Sequence, residues 1–179
     1  MKDARNVNNK LKVLYEQLED DRDRLMTELS NASGDTLSLK PSQDKWSVNE
    51  ILTHLVTSEQ LTIQYLKKKS LGVDQLRNSG LAEKIRYAVL EISQRLPLKF
   101  KAPKHVVSHT PAALQLPQLL SSWNATRQEL KEFLDSISDR NIKKLIYKHP
   151  VAGRFDVFQC LMFMREHYHH HLPQIKRLL

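Results

Sequence analysis

His167 and His171 lie four residues apart. Imidazoles at that spacing on a helix stand one turn apart on the same face, near enough for both to reach one cation. They fall within the series Val157, Leu161, Met164, His167, His171, Ile175 and Leu178, whose steps of three and four predict a core-facing stripe. His54 belongs to a second stripe, Ile51, His54, Ser58, Leu61 and Tyr65, and faces inward or nearly so. A lone inward histidine is ordinarily a hydrogen-bonded core residue. Three of them on two helices call for a joint explanation, because each unpartnered neutral imidazole would cost on the order of 1–3 kcal/mol. A shared metal removes that demand, and bundle cores build such sites from facing helices. Three protein nitrogens also leave a coordination position open, as in catalytic sites, where a water or thiol loses its proton more readily. The local run His167, His169, His170 and His171 fits a plain polar helix end as well.

Long regular elements are needed to hold these side chains, and the composition favours them. The chain has 179 residues, 40% hydrophobic and 27% charged, with only four glycines, which suits one soluble helical domain over residues 1–179. Steps of three and four through Val7, Leu11, Leu14, Leu18, Leu25 and Leu29 predict a first long helix. Ser47 with Glu50 three residues later forms a capping box that opens the helix carrying His54. A third amphipathic stretch, Leu81 to Leu96, has Ile85, Val89 and Ile92 on its apolar face and stops at Pro97. From Pro97 to Pro117, with His105 and His109, periodicity lapses and a long crossover is expected. Leu120, Trp123, Arg127, Leu130, Leu134 and Ile137 mark the next helix, and Asp156 with Gln159 opens the last. Lys143 to His149 fits either a short helical turn or an extended piece. The fold class is therefore all-α, a four-helix bundle with a long crossover connection.

Function classes narrow on the same grounds. No run of about 18 apolar residues is present, and MKDARNVNNK lacks the apolar core of a signal peptide, so no membrane role and a cytoplasmic setting are expected. Cys160 is the single cysteine, which excludes an intramolecular disulfide and a cysteine-rich metal site. Any metal must be held by nitrogen and oxygen. The net charge of +8 attracts anions, but Lys67 to Lys69 and the dispersed Lys99, Lys101 and Lys104 lack interleaved aromatics and read as solvated surface rather than a nucleic-acid site.

Two stretches resemble a known family. Lys45-Trp46-Ser47-Val48-Asn49-Glu50-Ile51-Leu52-Thr53-His54-Leu55 resembles the helix-two signature of DinB/YfiT-like proteins, in which a Trp-Ser start leads to one metal-binding histidine. His149-Pro150-Val151-Ala152-Gly153-Arg154-Phe155, Phe163 to His167 and His170-His171-Leu172-Pro173-Gln174-Ile175 resemble that family's closing helix, with its His-x-x-His-His-x-x-Gln-Ile pattern. The resemblance covers the chain from about residue 10 onward and places the family's ligands on His54, His167 and His171. It implies thiol S-transferases using bacillithiol or mycothiol, thiol-dependent isomerases, or metal-dependent hydrolases.

The resulting expectations are specific. One divalent transition metal, zinc or nickel, sits on His54, His167 and His171, with a low-molecular-weight thiol such as bacillithiol as a further cofactor. Gln174 orients a ligand from behind. Glu50, one turn before His54, does the same or simply caps its helix. Trp46 and Trp123 are read as core packing, His170 as peripheral and His169 as solvent-facing. Glu166 and Tyr168 could move protons without any need that they do. Pro173 is expected to bend the last helix and tilt His171 away from His167. The partners are a small-molecule substrate and a second copy in a homodimer. The rival reading is a non-catalytic helical module, associated with nucleic acid or dimerising through a helix face, with a structural or vestigial metal.

Overall fold

The leucines of the first stretch bury one helical face: Leu11, Leu14, Leu18, Leu25 and Leu29 are all withdrawn from solvent. In the computed structural model, which describes residues 2–95 and 110–179, they line α1 (Lys2–Leu29). A short α2 (Gly34–Ser38) follows, then α3 (Val48–Ser70), α4 (Leu81–Arg95), α5 (Leu116–Ser136) and α6 (Val157–Lys176). α1 and α3 each pack against both α5 and α6, which closes a ring of four long helices. The expected bundle is this ring. α4 lies outside it, against α6. No helix among the described residues is long and apolar enough to cross a membrane.

One segment takes the extended form of the two left open for Lys143 to His149, and another departs from the sequence reading. β1 (Tyr147–His149) and β2 (Gly153–Phe155) form an antiparallel hairpin in which Tyr147 pairs with Phe155 and His149 with Gly153. Gly153 has φ of +87°, a conformation that side chains with a Cβ rarely adopt, so it suits this turn. On α4 the apolar face marked by Ile85, Val89 and Ile92 points to solvent, whereas Glu83, Tyr87 and Leu90 face the bundle. The inversion has an electrostatic cause. The Glu83 carboxylate accepts the Gly80 N–H and the Arg77 guanidinium, and Tyr87 meets Phe155 edge to face. Most of the expected crossover, including Lys99, Lys101, Lys104, His105 and His109, lies outside the described residues. Its far end is pinned beside His54, since the Leu114 N–H donates to Thr53 Oγ1.

A buried polar cluster fastens α3 to α5. Glu59 Oε1 accepts from Arg127 Nη2 at 2.7 Å and Glu59 Oε2 from Trp123 Nε1 at 2.8 Å, with all three side chains buried. Arg127 Nη1 also lies 3.6 Å from Glu19 Oε1 on α1, so one guanidinium spans three helices. Burial raises the Glu19 carboxyl above its usual range, against the pull of Arg127. Removing one member of such a pair strands the other charge in a low-dielectric setting. Glu59→Ala is therefore expected to cost about 3–5 kcal/mol in urea unfolding. The exposed pair Lys131–Asp135 provides the contrast: Asp135→Ala should change stability by about 0–1 kcal/mol. Equal losses in the two variants would remove the cluster from its structural role.

Candidate metal centre

Both helices that present histidines start at well-formed caps, which fixes their rotation. On α3 the Ser47 hydroxyl accepts the Glu50 N–H and Glu50 Oε2 accepts the Ser47 N–H. Glu50 Oε1 takes Lys40 Nζ at 3.0 Å, so the cap and this ion pair together engage both carboxylate oxygens of Glu50. On α6 Asp156 and Gln159 exchange the same pair of bonds, and Ser79 donates to Asp156 from outside. Three turns along α6 the side chains of His167 and His171 turn toward α3.

There the imidazoles of His54, His167 and His171 meet, with one ligand atom of each within 4.8 Å of the others. His54 Nε2 lies 3.3 Å from His167 Nε2, and His171 Nε2 lies 3.2 Å from the same atom. A tetrahedral cation with metal–nitrogen bonds of about 2.0–2.1 Å sets its ligand atoms about 3.3–3.4 Å apart. The two separations from His167 Nε2 match that edge, and the His54 and His171 ligand atoms lie within 4.8 Å of each other. The hydrogen-bond inventory points the same way, because a ring nitrogen carries either one hydrogen or one lone pair. His167 Nε2 therefore cannot form well-aligned hydrogen bonds to both neighbours. His171 Nδ1 lies 3.0 Å from Gln174 Oε1, and donation there leaves the His171 Nε2 lone pair directed at the cluster. The donor set fits a divalent transition metal.

Electrostatics hold the rings in the ligating form. Burial lowers His54 to about 4, with the neighbouring His171 adding to the effect. Burial likewise lowers His171 to about 4, against an opposing contribution from Gln174. His167 falls well below its ordinary value, first through burial and then through the surrounding histidines. Neutral imidazole is the metal-binding form, so the cluster is deprotonated at neutral pH before any ion arrives.

α6 runs unbroken past Pro173 to Lys176, and His171 keeps its contact with His167, so the expected tilt does not separate the pair. Three turns N-terminal to Pro173 the helix is already in register, and the lost bond falls only near its end. Trp123 is core as expected, but Trp46 is not: it is 40% exposed, its ring centroid 5.1 Å from that of His54 and 6.5 Å, nearly parallel, from that of His171. The residue before the cap has no helical period to report its direction, which is why the sequence misplaces it. Phe163, one turn before His167, stacks on that ring at 5.7 Å. His149, buried at the end of β1, meets Phe163 edge to face at 4.5 Å and accepts the Val151 and Ala152 N–H groups at Nδ1. Its signal was its place in the His-Pro segment, but its role there is in the turn. His170 bonds the Gln94 carbonyl and His169 meets Asp21. Glu166 pairs with Arg95, and the Tyr168 hydroxyl donates to the Asp21 carbonyl.

A family model described as the DinB superfamily matches residues 17–175. The chain is also similar to the uncharacterized protein YuaE of Bacillus subtilis (strain 168), at 28% identity over 153 residues that span 84% of this chain and 88% of that protein. No solved structure matches.

Buried neutral histidines give the metal-free protein a pH dependence of defined sign. The folded values of His54, His149 and His171 are about 4, while unfolded histidine titrates near 6.5. Between those limits the unfolded chain binds more protons, so stability is full above about pH 6.5 and is lost as pH falls toward 4. Thermal unfolding of the metal-free protein should follow that course, with a shallower dependence in His54→Gln. A Tm independent of pH across this window would mean that the rings are not held neutral.

Proposed function

The chain belongs to the DinB superfamily, and on that premise we propose that it is a metal-dependent enzyme, a thiol-dependent S-transferase or hydrolase. His54, His167 and His171 hold one divalent transition metal, zinc or nickel, through Nε2. The observation that carries this reading is the approach of His54 and His171 Nε2 to His167 Nε2 at 3.3 and 3.2 Å, the edge length of a tetrahedral cation's ligand set. A cation held there supplies Lewis acidity toward a thiol or water at the position the protein leaves open.

The chain's own residues supply the rest. Gln174 fixes the orientation of His171 by holding Nδ1. Phe163 backs His167 on one side, and the half-exposed Trp46 forms the wall beside His54 and His171, where a substrate enters. The net charge of +8 raises the local concentration of an anionic thiol such as bacillithiol. In this reading residues 1–179 form one cytoplasmic domain that works as a homodimer on a small-molecule substrate.

Untagged protein analysed for metal content is expected to carry about one divalent ion per chain, and His54→Ala to lose it. Metal-loaded protein should then transfer a thiol, offered in turn as bacillithiol, mycothiol or glutathione, to an electrophilic acceptor, with activity absent in His54→Ala. Equal metal in both proteins would take His54 out of the site. Full metal occupancy without activity on thiol adducts or hydrolysable esters would make the ion structural.

A further inference from the structure

α4 carries two opposed faces, and among the described residues only one of them packs against the rest of the chain. Leu81, Ile85, Val89 and Ile92 are 73%, 57%, 62% and 61% exposed. Large apolar side chains scattered singly on a surface mean little. These four follow one another at steps of four, four and three on a single helix, so they share one face as a stripe. Ala88, also exposed, lies within it.

The stripe has the pattern of a helix-pairing seam. With Ile85 and Ile92 at a positions, Leu81 and Ala88 fall at d. Such a seam needs a partner helix of matching period, and this one matches itself in reverse. Run antiparallel about a twofold axis between Arg86 and Tyr87, Leu81 meets Ile92 of a second copy and Ile85 meets Ala88 of that copy, each layer occurring twice. Large residues face small ones at the centre. The flanks agree with the same register: Lys84 comes opposite Glu91 of the second copy, while Ala82 and Val89 extend the apolar contact on the other side. A parallel pairing would set Lys84 opposite Val89 of the second copy and leave its charge unmatched.

We propose that the outer face of α4 is an isologous dimer interface, in which two copies pair antiparallel through Leu81, Ile85, Ala88 and Ile92 with Lys84 matched to Glu91 across the twofold axis. This gives a surface to the homodimer of the functional reading, and it stands without the metal, because α4 carries none of the three histidines. A seam of four layers is at the small end of protein interfaces, so dissociation on the order of micromolar is expected.

Sedimentation equilibrium of the full metal-free chain across 1 to 100 μM, about that expected range, tests the proposal. The wild type should approach the dimer mass. Ile85→Glu, at an exposed position, should keep the helical content of the wild type and raise the dissociation constant about tenfold or more. Lys84→Glu and Glu91→Lys should each weaken the dimer, and the two together should restore it, because the swapped charges again meet as opposites. A monomer throughout the range, whether residues 96–109 or an unrelated protein cover the stripe instead, overturns the proposal. So does a dimer indifferent to Ile85→Glu, or a double swap no tighter than either single one.

Discussion

Three imidazole nitrogens turned toward one another inside a folded chain set the terms for everything around them. Each ring is uncharged where it sits, because burial disfavours the protonated form. Neutral rings in contact still have to decide which nitrogen bears a hydrogen, and His167 Nε2 has two neighbours but only one hydrogen or lone pair to offer them. Such a cluster is frustrated as a hydrogen-bonded core and satisfied as a donor set. That asymmetry is the physical content of the metal reading, and it depends on separations of a few tenths of an ångström being held by the scaffold.

The scaffold holds them through rotation and through attachment. A helix that starts one residue late would turn its side chains by about 100°, and both histidine-bearing helices are started by reciprocal capping boxes. Attachment comes from the apolar layer around Ile51, Leu52, Leu55, Trp123 and Ile175, which packs α3, α5 and α6 near the site. The Glu59–Arg127–Trp123 cluster then pins α3 to α5 one turn beyond His54. Charge pairs of this kind add little net stability compared with apolar residues of equal volume, but they tolerate few alternative arrangements. Position is what the site needs from them.

Much of this could be read from residue spacing. The stripes of α1, α3 and α6 and the two capping boxes define helix faces before any coordinates, and the same periodicity brings His54 and the C-terminal pair onto inward faces. The information ran out where periodicity does. Trp46 precedes its helix, so nothing in the spacing says that its ring turns back over His54. The hairpin strands are three residues each, too short for alternation to register. On α4 the rule that apolar residues face inward gives the wrong side, because a buried carboxylate, Glu83, has stronger claims on the interior through Gly80 and Arg77. A polar residue with defined partners outranks an aliphatic one without them.

The chemistry of the donor set carries one more step. Among the described residues the group able to share an ion contains histidines alone and no carboxylate. Neutral ligands cancel none of a divalent cation's charge, so a site of this composition keeps a net charge near +2 in surroundings that already exclude much of the water. The partner that relieves this best at the open position is an anion. Were the proposed zinc or nickel bound there, softness would favour a thiolate over a carboxylate, and a chain bearing a net +8 draws either toward it. A carboxylate in place of one histidine would weaken that preference by neutralising part of the charge. Under the proposed function, the absence of acidic residues from the cluster therefore bears on which substrate class a bound ion would favour.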